Sequence, residues 1–116
     1  MTHTVLIVDD HPSFRASARA ILEADGFTVV GEAEDGTTAL AELRRLRPDV
    51  VLLDVQLPDM TGFDVCIECG DLEKTSVVLV SSRDAADYGA LIESSGASGF
   101  IAKAELSGDA VVNLIA

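Results

Sequence analysis

Three unbroken apolar runs constrain this chain most: Val5-Leu6-Ile7-Val8, Val50-Val51-Leu52-Leu53 and Val77-Val78-Leu79-Val80. A strand with one wet face alternates apolar and polar residues, whereas a strand covered on both faces does not. The runs are strand-length and far too short to cross a bilayer. They predict a parallel sheet with helices packed on each side. A shorter run, Phe100-Ile101-Ala102, fits the same sheet.

Between the runs lie helical signals. Residues 12–24 place Phe14, Ala18, Ile21 and Leu22 at helical spacing, with Pro12 suited to the first turn. Asp35 can cap a helix over 36–46. A short helix over 63–69 is ended by Gly70. Asp84 can cap a fourth over 85–95, with Tyr88, Leu91 and Ile92 facing inward, and a fifth covers 107–115. Strands are expected at 4–9, 28–32, 50–54, 77–81 and 100–102. Five βα units in a row give an α/β, doubly wound, three-layer domain over 1–116. The chain stops where the fifth helix finishes, which fits a complete protein or a piece of a longer one.

Every run ends in polar groups. Val8 leads into Asp9 and Asp10, Leu53 into Asp54, Val80 into Ser81, and Ala102 into Lys103. In a parallel sheet these endings share one edge, where open α/β sheets bind their ligands. Taken singly, each residue has a plainer explanation as a helix cap, a turn or a solvated lysine. Four coincidences at successive strand ends make a shared site the better reading.

Three carboxylates about 5 Å apart would repel by about 3 kcal/mol per pair at an effective dielectric near 20. Lys103 alone cannot offset that, so either one carboxylate is protonated or a divalent cation sits among them. Hard oxygen ligands with positions left for water and phosphate suit Mg2+, or Mn2+. Asp54, alone at the end of the central strand, is the better nucleophile for phosphoryl transfer. Asp9 and Asp10 would hold the metal. Ser81 and Lys103 would donate to the oxygens of an acyl phosphate.

The net charge of −12, from 20 acidic and 8 basic residues, repels a phosphate backbone. Direct nucleic-acid binding by this domain is therefore not expected. The start, Met1-Thr2-His3-Thr4, lacks the basic region of a signal peptide. With no membrane span either, a cytoplasmic protein with no membrane partner is expected. Cys66 and Cys69 are spaced as a Cys-x-x-Cys, yet they lie inside a helix with no second pair, so they read as two small buried hydrophobes.

The stretches LIVDDHPSFR (6–15), VVGEAEDGTTAL (29–40), VVLLDVQLPDMTGFDV (50–65), VVLVSS (77–82) and SGFIAK (98–103) resemble the receiver domain of bacterial two-component response regulators. The resemblance covers nearly the whole chain and looks closest to the NarL/FixJ group, whose receivers usually precede a helix-turn-helix DNA-binding domain. It implies a CheY-like sheet of order 2-1-3-4-5. It implies that Asp54 accepts phosphate from a sensor histidine kinase. It also implies that Asp9, Asp10, Asp54 and the backbone carbonyl of Gln56 bind Mg2+. Ser81 would be the switch hydroxyl, Lys103 its partner on the phosphoryl group, and Phe100 the switch aromatic.

Activation would change the helix 4–strand 5–helix 5 face, a candidate surface for homodimerisation or output. The region around Pro12, Phe14 and Arg15 would dock the kinase. Such a domain is not an enzyme beyond autophosphorylation and autodephosphorylation. Ala104 replaces the proline that often follows the lysine, so no cis peptide is expected there.

Three rivals stand beside transcriptional control through an absent output domain. One is a stand-alone receiver acting by protein contact. Another is a pseudo-receiver that takes no phosphate, which the full acceptor and switch set opposes. The third is an Mg2+-dependent phosphatase with an aspartyl-phosphate intermediate, which would need a second Asp where Gln56 stands.

Overall fold

The computed structural model describes residues 3–115. In chain order it contains β1 (Thr4–Val8), α1 (Pro12–Ala24), β2 (Thr28–Ala33), α2 (Gly36–Leu46), β3 (Val50–Asp54), α3 (Gly62–Glu68), β4 (Ser76–Ser81), α4 (Leu91–Ser94), β5 (Gly99–Ala102) and α5 (Gly108–Ile115). The sheet is five-stranded with order β2-β1-β3-β4-β5, and every pairing is parallel. This is the expected doubly wound α/β fold.

The unbroken runs form the middle of the sheet. All five residues of β3 are buried, as are four of the five in β1. Two cores result, one per face. Leu6, Val8, Val51, Leu53 and Leu79 pack with α2 and α3, while Val5, Ile7, Leu52, Val78 and Val80 pack with α1 and α5. Alternate residues of one strand therefore serve opposite cores, which is why no polar residue interrupts the runs.

Helix starts follow local chemistry. The Asp35 carboxylate accepts from Thr38 N–H at 2.7 Å, as expected for a cap. Thr61 and Asp64 form a reciprocal capping box at the start of α3. Gly62 is needed there because a Cβ at this position would run into the backbone carbonyl of Asp54.

The fourth helix differs from expectation. Residues Ala85–Asp87 make a single 3-10 turn, and α4 spans only Leu91–Ser94. Between them Gly89 adopts φ +56°, a left-handed conformation that interrupts helical hydrogen bonding. Tyr88 and Ile92 pack against the core as predicted, but Leu91 is 53% exposed and points away from it. Every peptide bond among the described residues is trans, including the one after Lys103. No helix among the described residues is long and apolar enough to cross a membrane.

Candidate functional site

Strand register assembles the site. Val8 pairs with Leu53, Asp54 with Val80, and Ser81 with Ala102. The residues that follow these pairs leave the sheet at the same edge, beside the switch point between β1 and β3. They line a cavity of about 200 Å³ that includes Asp10, His11, Asp54, Gln56, Ser81 and Lys103.

Ligand atoms of Asp9, Asp10, His11 and Asp54 lie within 4.8 Å of one another. Asp9 is fully buried and Asp54 is nearly so, while Asp10 is exposed. Asp9 Oδ1 accepts from the His11 backbone N–H at 2.8 Å. The His11 Nδ1 stands 3.1 Å from Asp9 Oδ1 and 3.0 Å from Asp10 Oδ1. His11 thus joins the site, and its position directly after the acidic pair is the sequence signal for it.

Lys103 reaches across the cavity. Its Nζ is 2.6 Å from Asp9 Oδ2 and 3.4 Å from Asp54 Oδ2, and it sits 4.5 Å above the Phe14 ring as a cation–π contact. Burial works against its charge, but Asp9 and Asp54 outweigh that and raise its pKa above the ordinary lysine value. Burial, reinforced by the charge of Asp9, pushes Asp54 up to about 6, although Lys103 and the Gln56 N–H pull the other way. Phe14 and Arg15, read from sequence as docking surface, are half-buried. Arg15 donates to the Asp9 carbonyl at 2.6 Å and to Glu32 at 2.9 Å, so it braces the acidic loop from behind.

This donor set fits Mg2+. Asp9 Oδ2 is buried and has no aligned hydrogen bond even with Lys103 close by. One ammonium faces three carboxylates, which leaves excess negative charge for a hard divalent cation. Asp9, Asp10 and Asp54 would hold it, and Gln56 lines the same cavity.

The side of the cavity that carries Ser81 is built differently. Ser81 Oγ accepts from the Arg83 N–H at 3.1 Å and lies 2.6 Å from the Tyr88 hydroxyl. The Tyr88 ring meets Phe63 edge-on at 5.5 Å and Phe100 at 5.8 Å. Phe100 is half-buried on β5. Sequence periodicity placed Tyr88 in the core but gave no sign of its contact with Ser81.

The family model of the response regulator receiver domain matches residues 5–115. The chain is a member of that family. It is 41% identical over 102 residues to a Pseudomonas aeruginosa protein named as a transcriptional regulator, covering 87% of this chain and 49% of that protein. It is 40% identical over 106 residues to the DNA-binding response regulator MtrA of Mycolicibacterium smegmatis, covering 89% and 45% respectively. The receiver thus spans about half the length of these curated relatives. Its fold matches the signal receiver domain of NarL from Mycobacterium tuberculosis with a TM-score of 0.88 at 34% identity, covering 98% of this chain and 96% of that one.

Two other groups in the receiver are explained by structure alone. Cys66 and Cys69 are free and buried, and Cys66 Sγ donates to the Ser95 carbonyl at 3.2 Å. Burial raises both thiols, Cys69 to about 11, which is the reverse of a reactive thiolate. Asp59 carries a second cap for α2: it accepts from Gly36 N–H at 2.8 Å and from Thr37 N–H at 3.0 Å. Those hydrogen bonds, the Gly36 N–H first, hold Asp59 down at about 2.

Proposed function

We propose that this receiver accepts a phosphoryl group on Asp54 from a sensor histidine kinase, with Mg2+ held by Asp9, Asp10, Asp54 and the Gln56 carbonyl. An Asp54 oxygen attacks the phosphorus of a phosphohistidine. The P–N bond breaks, the imidazole keeps the electron pair and takes up a proton, and an acyl phosphate remains on Asp54. A bound divalent cation supplies positive charge for the phosphoryl oxygens. The observation that carries this reading is the nearly buried Asp54, set among two further carboxylates and one lysine at the sheet's switch point.

Lys103, already 3.4 Å from Asp54, pairs with the new phosphoryl oxygens, and Ser81 supplies a hydroxyl. Phe100 and the α4–β5–α5 face then shift, a local charge event biasing a two-state element. That face serves a homodimer or an output contact. The output is control of transcription through a DNA-binding domain, as the names of the relatives suggest. The domain itself works as a switch in the cytoplasm, with no chemistry beyond gaining and losing its own phosphate.

Intact mass after incubation with acetyl phosphate tests this. One phosphate adduct is expected with Mg2+, and none with a chelator or in Asp54→Asn. No adduct from any phosphodonor would leave the protein a pseudo-receiver.

A further inference from the structure

We propose that the Tyr88 hydroxyl holds Ser81 away from the phosphoryl group, so that phosphorylation must break the Ser81–Tyr88 hydrogen bond. Tyr88 is then a positioning residue of the switch. The proposal rests on the reading of Asp54 as the acceptor.

A serine hydroxyl has one proton to donate and two lone pairs. The Arg83 N–H occupies one lone pair of Ser81, and the Tyr88 hydroxyl lies 2.6 Å away; with Ser81 as the donor of that pair, its single proton is spent on Tyr88 and is not free for a phosphoryl oxygen. Ser81 is 4% exposed, so little water competes for it. The bond is also well anchored. The Tyr88 ring is held between Phe63 and Phe100, at 5.5 and 5.8 Å. A half-buried tyrosine needs a partner for its hydroxyl, and Ser81 supplies it.

The backbone turns sharply beside this contact. Gly89, immediately after Tyr88, takes φ +56°, and the chain leaves the core so abruptly that Leu91 faces solvent. The break in the fourth helix and the Tyr88 contact therefore adjoin. Tyr88 touches both Ser81 and Phe100, the two groups proposed to read the phosphate. Moving Ser81 toward Asp54 strips Tyr88 of its polar anchor and loosens the ring against which Phe100 packs.

The chain has one Tyr and no Trp, so its intrinsic emission reports on Tyr88 alone. The test measures beryllofluoride affinity by calorimetry, at saturating Mg2+, for wild type, Tyr88→Phe, Ser81→Ala and the double variant. Beryllofluoride stands in for the phosphoryl group. Tyr88→Phe keeps the ring and removes the restraint, so it should bind about two- to tenfold more tightly, the worth of one net hydrogen bond. The gain should vanish when Ser81 is alanine. Equal or weaker binding by Tyr88→Phe, or the same gain without Ser81, overturns the proposal.

Emission supplies a separate arm. Ser81→Ala should change the tyrosine emission of the unliganded protein, and beryllofluoride with Mg2+ should change wild type in the same direction. Unchanged emission in Ser81→Ala overturns the contact whatever the phosphorylation chemistry. Failure of all four proteins to bind beryllofluoride instead overturns the acceptor reading of Asp54, with the emission arm still deciding the Tyr88 contact.

Discussion

The two walls of the cavity are built to different standards. The wall bearing Asp9 and Asp54 grows out of β1 and β3, whose central residues are fully buried. The wall bearing Ser81 and Lys103 starts at the end of the equally buried β4 but leads into a 3-10 turn with no buried residue, a four-residue α4 and a four-residue β5 with one buried residue. Local stability follows buried apolar contact. Asp9 and Asp54, the proposed metal ligand and acceptor, therefore sit at the end of the most buried strands, and Ser81 and Lys103, proposed to read the phosphate, sit beside the least buried segments. A switch needs this division, because chemistry requires fixed geometry and signalling requires a cheap rearrangement.

The sharpest way to break this contrast is to truncate a leucine on each side. Leu52→Ala, at a fully buried position in β3, should cost about 2–5 kcal/mol in a urea unfolding curve. Leu91→Ala, at a 53% exposed position in α4, should stay within about 0.5 kcal/mol. Similar losses at both sites would erase the difference between the walls.

Titration probes the rigid wall from another direction. Burial, with Asp9 adding to it, raises Asp54 from 3.8 to about 6, so the folded form binds this proton more tightly than the unfolded chain does. Its contribution is therefore most favourable below the unfolded value and declines as pH rises through about 6. In chelator, the melting temperature should show that decline between pH 4 and 7. Asp54→Asn should flatten it, and Mg2+ at pH 7 should recover the loss by binding the ionised form. A profile unaffected by Asp54→Asn would dissociate the buried carboxylate from the cost assigned to it.

A smaller loss than that of the core truncation is expected at a helix beside the rigid wall. Asp35→Ala removes one N-cap of α2 and should cost about 1 kcal/mol by thermal unfolding. Asp59 continues to serve Gly36 and Thr37, which keeps the effect at or below that figure. A loss several times larger would mean that the two caps act as one unit.

The same contrast governs what could be read from sequence. The rigid wall was legible because burial on both faces of a strand leaves an unbroken apolar run, as in Val50 to Leu53. The order of those runs then brought Asp9, Asp54, Ser81 and Lys103 to one edge. The fourth helix was not legible: the residues from Ala85 to Ser95 carry helical spacing, but Gly89 breaks it and Tyr88 is engaged by Ser81 across the fold. Gly89 was the local mark of that break, while the contact of Tyr88 with Ser81 leaves no periodic mark. Asp59 escaped for the same reason, since its partners at Gly36 and Thr37 lie 23 and 22 residues away. The apolar face of α1 already included Phe14, but its contact with Lys103, and that of Arg15 with Glu32, are invisible to local pattern.

The double cap on α2 has a consequence for how this chain tolerates rearrangement. The loop holding Asp59 is partly exposed and rich in turn residues, the kind of segment where new termini or inserted domains are usually accepted. Here the loop reaches back to close the end of a helix that precedes it in the sequence. Cutting or lengthening it would release the first turn of α2 together with the backbone that carries Gln56. Grafts and circular permutations would be better placed at a turn that closes no other element of the fold.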